Sequence, residues 1–386
     1  MKNLIGALPS AQIHHSFTSG THDCDETSPL IIKKRLLLAF FLIIMIKKTR
    51  RLQMKRILIF FIAFSFISLS CHKQREGFYT LGIFQVNDAP HLNEVREGFI
   101  HALEDNGLRD GENIRLIIRN GKGSIPEIQR IAQNFVDENV NMIVAISTPC
   151  LQAALIATHR IPIVFASVAN PYLAGAGKSP TDHRDNVTGI ASTGPIKQSL
   201  AFIKEVIPGV KRFGTLWTPA EINSEFYFET ARKVARELGL ELVDVPIANT
   251  SQVLHSSQVL INKKIDAIYQ ISDNTINASF ASLGRVATEN SVPLFGGFLL
   301  STQLGACAAM GWDFFDMGYK TGKIAMRIKN GENPTAIPIQ YMSKVMLHIN
   351  LSAAEKQGIH FSEMILKRAD KIYEMGQSSQ SYSYFE

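Results

Sequence analysis

The stretch that decides the fold is 140–167. It reads VNMIVAIS (140–147), TPCLQAALIATH (148–159) and, after Arg160, IPIVFAS (161–167). The first and third pieces are unbroken apolar runs rich in Ile and Val, with no polar alternation. Such runs suit strands buried on both faces, which occur where helices cover a parallel sheet. The piece between them follows Ser147 with Thr148-Pro149, a helix-opening sequence, and is long enough to cross back over the sheet. Strand, helix and parallel strand together make one βαβ unit.

The same rhythm runs outward on both sides. Upstream lie a strand at TLGIFQV (80–86), a helix at 91–107 that Gly107 stops, a strand at NIRLIIRN (113–120) and a helix at 124–139 opened by Ser124 and Pro126. Downstream, NVTGIAS (186–192) precedes a second series of similar size. Its expected strands are RFGTLW (212–217), LELVDVP (240–246), IDAIYQIS (265–272) and VPLFGG (292–297), with helices between them, one over 275–290. ACAAMGWD (306–313) reads as a further strand and 316–331 as a helix. Pro334 and Pro338 then break the pattern before IQYMSKVMLHIN (339–350). The fold class is therefore α/β: two Rossmann-like lobes of parallel sheets flanked by helices, joined by a hinge that the chain crosses several times. The expected division gives 78–192 plus 310–332 to lobe one and 193–309 plus 333–366 to lobe two, with 367–386 a flexible tail.

The front of the chain differs in kind. Residues 1–71 hold 10 Lys/Arg against 3 Asp/Glu, while the rest holds 30 against 31, so the whole-chain excess of +6 belongs to the front. The near-neutral body argues against a nucleic-acid partner. From Met54 the sequence runs MKRILIFFIAFSFISLSC: two basic residues, an apolar core over 57–67, then small residues up to Cys71. That is the layout of a secretory signal, and it resembles a bacterial lipoprotein signal with Cys71 as the lipidation site. Such signals usually carry Leu three places before the cysteine; here that place holds Ser68, and Leu69 follows. Residues 54–71 are read as the signal, and residues 1–53 as a spurious or unstructured extension. Cys150 and Cys307 lie in apolar runs and are expected to be buried free thiols.

Catalytic signatures are missing from the sequence. It contains no GxSxG, HExxH, P-loop or GxGxxG pattern, and no CxxC or clustered histidines. No catalytic residue, metal or cofactor is expected. GAGKS (175–179) lacks the leading Gly of a P-loop and reads as a surface loop.

Ligands of open parallel sheets bind beyond the carboxyl ends of the strands. In lobe one those ends offer Gln85, Ser147, Thr148, Ser167 and Asn170. Lobe two offers Trp217, Glu221, Asn223, Ser224, Asp273 and Asn274, and the late crossing offers Trp312 and Asp313. Helix starts at Ser147-Thr148 and Asn223-Ser224 suit a carboxylate or a phosphate. Asp273 suits an ammonium group, and Trp217, Trp312 and Phe314 supply apolar walls. Each polar residue alone equally suits an ordinary helix cap; jointly they suit a zwitterion such as an amino acid.

Over 79–365 the chain resembles bacterial ABC transporter substrate-binding proteins of the group associated with aromatic and other amino acids. The resemblance rests on REGF (96–99), VAISTPCLQAA (144–154), NVTGI (186–190), PAEINS (219–224), DAIYQISDNT (266–275) and GWDFFDMGYKTG (311–322). It implies a periplasmic binding protein type I architecture, no enzymatic activity, and lobes that close on a solute and deliver it to an ABC permease and its ATPase. Together with the signal over 54–71, the expectation is an exported, lipid-anchored monomer at the membrane. By motif, Thr148 would sit at a carboxylate-binding helix start. Glu221, Asn223 and Ser224 would contact the ligand, Asp273 and Asn274 would hold its amino end, and Asp313 would lie by the hinge. Two loops depart from the family's pattern: NDAPH (87–91) stands where Glu-His-Pro is frequent, and GGFLLST (296–302) where a Ser/Asp-containing loop is frequent. The alternative reading is a ligand-binding sensory module that feeds a membrane signalling partner.

Overall fold

The computed structural model describes residues 78–374. The signal over 54–71, its Cys71 and the extension 1–53 lie outside the described residues. Lobe one begins with β1 (Tyr79–Gln85), α1 (Pro90–Glu104), β2 (Ile114–Asn120), α2 (Ile125–Asp137), β3 (Met142–Ile146), α3 (Thr148–Ala157), β4 (Ile163–Val168) and β5 (Val187–Ala191). The chain then builds lobe two from α4 (Ile196–Val206), β6 (Arg212–Trp217), α5 (Ile222–Glu237), β7 (Glu241–Pro246) and α6 (Val253–Asn262). β8 (Ala267–Gln270), α7 (Asn274–Asn277), α8 (Phe280–Glu289), β9 (Leu294–Gly296) and β10 (Ala308–Gly311) follow in the same lobe. The helix expected over 275–290 is thus two helices, separated where Ser279 interrupts.

After β10 the chain returns to lobe one through α9 (Phe314–Lys329) and β11 (Gln340–Tyr341). It ends in lobe two with β12 (Met346–Asn350), α10 (Leu351–Lys356), α11 (Glu363–Leu366) and β13 (Lys371–Tyr373). Sheet one has the order β11-β5-β4-β3-β1-β2, and sheet two β13-β12-β10-β9-β8-β6-β7. All pairings are parallel except β10 with β12. Every residue of β3 is buried, as the unbroken apolar run requires. Cys150 and Cys307 are free and buried, in different lobes.

Three boundaries are corrected. Residues 310–311 belong to β10 in sheet two. Residues 333–342 belong with lobe one: β11 pairs with β5, Thr188 Oγ1 donates to Ile337 O at 2.7 Å, and Ile339 N donates to Pro180 O at 2.9 Å. The segment from 367 is no free tail up to Tyr373, because β13 pairs with β12 and Asp370 Oδ2 accepts from Leu347 N at 2.9 Å. Strands of two or three residues are too short to show a period, and what fixes them is the open sheet edge they meet.

Helices α1 and α9 seat the hinge. They approach so closely that a Cβ on Gly98 would strike the carbonyl of Phe315, and one on Gly318 the carbonyl of Val95. This contact fixes the head of α9, and with it Trp312 and Asp313, against lobe one.

Candidate functional site

The carboxyl ends of sheet one carry the first part of the site. Ser147 follows β3 with φ 100°, and Ser167 closes toward the end of β4 with φ 57°. Both are conformations that L-residues adopt only under strain, and such residues gather at sites where geometry matters more than comfort. Ser147 makes no side-chain cap for α3, whose first turn carries Pro149, so its hydroxyl does not serve the amides that a helix start leaves without intrahelical partners. Its hydroxyl lies near the Cys150 thiol without a hydrogen bond of sound geometry. Thr148 is buried and its Oγ1 accepts a long bond from Ala169 N at 3.4 Å. Gln85 is already used within the lobe: its Nε2 donates to Asn87 O and Asn93 Oδ1, both at 2.7 Å, and its Oε1 accepts from Arg96 Nη1 at 2.7 Å. Asn170 closes its own turn, accepting from Tyr172 N at 3.0 Å and Leu173 N at 3.1 Å.

Lobe two brings five of the expected residues into one hydrogen-bonded group. Asp273 is 1 % exposed. Its Oδ1 accepts from Ile276 N at 2.8 Å, capping α7, and its Oδ2 accepts from Thr218 N at 3.0 Å. Thr218 N also donates to Ser224 Oγ at 2.8 Å. Glu221 is 8 % exposed. Its Oε2 accepts from Asn274 Nδ2 at 2.8 Å and Asn223 Nδ2 at 3.2 Å, and its Oε1 from Thr275 Oγ1 at 2.6 Å. Burial first, and the charge of Asp273 second, push the Glu221 carboxyl up to about 7. Burial also raises Asp273. No cationic side chain is among the groups acting on either one. Trp217 stands at the end of β6, but its ring is stacked on Phe228 of α5 at 4.3 Å and its Nε1 donates to Asp244 Oδ2 of β7 at 2.8 Å. These partners lie within lobe two and leave the indole nitrogen nothing to offer a ligand.

Between the lobes, Asn87 Nδ2 donates to Asn274 O at 2.9 Å. The His91 ring lies 5.2 Å from that of Phe298 and 5.1 Å from that of Phe314. The two loops that depart from the resemblance therefore meet, through His91 of NDAPH and Phe298 of GGFLLST. Trp312 is buried at the crossing, and Asp313 caps α9 by accepting from Asp316 N at 2.8 Å. Burial first, and the Asp313 charge second, push the neighbouring Glu94 carboxyl up to about 8.

Six buried polar atoms that follow strand ends have no partner among the described residues: His91 Nδ1 after β1, Ser147 Oγ after β3, Thr218 Oγ1 and Asn223 Oδ1 after β6, Asn277 Oδ1 after β8 and Trp312 Nε1 after β10. Stranding a neutral polar group costs about 1–3 kcal/mol, so a group of them at the strand ends of both sheets fits a surface that a bound molecule completes. Asn277 escaped the sequence reading. Asn87, just past the end of β1, and His91, in the NDAPH loop that departs from the family's pattern, stood in it without being named as ligand contacts. Among the described residues no set of His, Cys, Asp and Glu is placed to hold a metal ion.

A profile of the family described as ABC transporter substrate binding protein matches residues 80–373. A tyrosine-binding protein of Clostridioides difficile (strain R20291) is 34 % identical over 270 residues, 70 % of this chain and 78 % of that protein. A Streptococcus pneumonia structure of an ABC domain in complex with L-Trp superposes with a TM-score of 0.73 at 26 % identity, covering 77 % of this chain and 100 % of that one. The ligand-free, open structure of a substrate-binding protein with adhesive properties from Clostridium difficile gives 0.58 at 30 % identity, covering 77 % and 99 %.

Proposed function

Because the chain belongs to the ABC transporter substrate-binding protein family, we propose that it is the lipid-anchored receptor of an importer and binds an aromatic amino acid in the crevice between its lobes. Proteins of this family are solute receptors outside the cytoplasm that work with an ABC permease, and they are not enzymes. The observation that carries the ligand class is the pair of buried carboxylates, Glu221 and Asp273, with no cation acting on them. Two such groups side by side repel each other in a medium of low polarity, and an ammonium group relieves both the repulsion and the lost hydration. The head of α3, with Ser147 and Thr148 and without a side-chain cap, offers the opposite sign for the carboxylate. Trp312, Phe298 and Phe314, buried where the chain crosses between the lobes, supply apolar surface. The tyrosine-binding relative and the L-Trp complex agree with a zwitterion that carries an aromatic side chain.

Closure of the lobes buries the ligand, and in this reading presents a joined surface to the permease and its ATPase. Cys71 supplies the lipid anchor, Met54 starts the precursor, and the receptor acts as a monomer. Calorimetric titration of the purified protein with L-Tyr, L-Trp and L-Phe, with myo-inositol and glucose as controls, tests the reading. A bound amino acid at 100 times its Kd raises stability by about 2.7 kcal/mol, which a thermal melt registers. Binding of a sugar with no response to any amino acid defeats it. Loss of palmitate labelling in Cys71→Ser checks the anchor.

A further inference from the structure

His91 has no part in the reading above, yet it occupies the junction of the lobes. It is 2 % exposed. Its ring meets Phe298 of lobe two with the planes tilted by 46°, and Phe314 at the head of α9 with the planes at 63°. Phe298 in turn packs edge-on against Phe280 at 5.2 Å. The imidazole thus packs in an aromatic cluster to which both lobes and the crossing contribute. Apolar packing alone does not call for a histidine here. A leucine or phenylalanine would fill its place without stranding a nitrogen, whereas His91 Nδ1 is buried with no partner among the described residues. Trp312 Nε1, two residues before Phe314, is stranded in the same way. Burial pushes the His91 pKa down to about 3, so the ring is neutral, with one donor and one acceptor nitrogen.

We propose that His91 is a specificity residue, whose imidazole hydrogen-bonds a polar group at the outer end of the ligand's aromatic side chain. A phenol hydroxyl or an indole N–H fits that description; a plain phenyl ring does not. The inference rests on the aromatic amino-acid reading given above. A site that holds a buried hydrogen-bonding group rejects the analogue that leaves it unpaired, because the desolvated group is then stranded in the complex.

The test is the Kd of L-Tyr, L-Trp and L-Phe for the wild type, His91→Phe and His91→Asn, with circular dichroism and thermal melting to report folding. The wild type is expected to prefer Tyr or Trp over Phe by about 10-fold or more. His91→Phe keeps the aromatic packing and brings the ratio close to one, mainly by weakening Tyr and Trp. His91→Asn, which keeps a polar atom near the place of Nδ1, retains most of the preference. Should His91→Phe not fold, His91→Leu replaces it. A wild type that binds Phe as tightly as Tyr and Trp overturns the inference without any variant. A His91→Phe protein with the preference intact also overturns it and assigns the nitrogen to a bridging water. Failure of all three amino acids to bind defeats the ligand class itself and this inference with it, whereas tight binding with unaltered selectivity removes His91 alone.

Discussion

Ligand affinity is expected to rise with pH, and Glu221 sets the size of the effect. In the empty site its carboxyl titrates at about 7, so at pH 5.5 it holds a proton. A bound ammonium group favours the charged carboxylate, so binding at acid pH must expel that proton. If the liganded carboxyl stays ionised down to pH 5.5, the affinity loses nearly a decade per pH unit below 7. Between pH 7.5 and pH 5.5 the loss is about 25-fold, or about 2 kcal/mol. Titration calorimetry at four pH values, in two buffers of different ionisation enthalpy, reads both the affinity and the released proton. Glu221→Gln should bind more weakly at pH 7.5 and lose the slope. The stability of the empty protein runs the other way. The pKa is raised from 4.5 in the folded state, so the contribution is complete below 4.5 and is lost as pH rises through about 7. The ligand-induced shift in Tm therefore grows with pH. An affinity constant to within about two-fold over the range, or the same slope in Glu221→Gln, refutes the reasoning.

Asp273→Ala leaves Ile276 N without its acceptor and Thr218 N with Ser224 Oγ alone at a fully buried position, so urea unfolding should show a loss of about 1–3 kcal/mol; Asp273→Asn, which keeps one of these bonds, should lose less while still binding the amino acid at least about 10-fold more weakly. An Asp273→Ala protein of wild-type stability would show that the cap is dispensable. Gly318→Ala puts a Cβ against the Val95 carbonyl and should cost about 1–3 kcal/mol by thermal melting, since neither helix can retreat without opening the hinge packing. Asn87→Ala removes the hydrogen bond to Asn274 O across the lobes, and should weaken binding by about 0.5–1.5 kcal/mol while the ligand-free radius of gyration in X-ray scattering grows; no change in either quantity would make that bond incidental.

The parallel sheets could be read from local pattern. Ile143, Val144 and Ala145 in β3 and Ile163, Val164 and Phe165 in β4 are all fully buried, and an uninterrupted apolar run leaves few other places for such a segment. Ser124, Asn249 and Asn350 cap the elements they precede, as short polar side chains do wherever a helix begins. The acidic group of lobe two was legible for a related reason, since residues past strand ends share one edge of the sheet. What could not be read were contacts between segments distant in sequence. β11 and β13 exist because β5 and β12 had edges to cover, and neither carries a period of its own. Glu221 and Asp273 lie 52 positions apart; each alone is an unremarkable acidic residue near a helix start, and only their packing into one buried place moves their titration. Asp273 also shows how two readings merge, because the side chain that suits an ammonium group is the same one that caps α7. His91 marks the limit. The sequence determined that it lies on the first helix of lobe one, while its burial between Phe298 and Phe314 was decided by the return of the chain at α9 and the approach of lobe two, which are global events. Local periodicity fixes which face of an element is apolar; which other face it meets depends on every loop and crossing between them, and that is settled only when the whole chain packs.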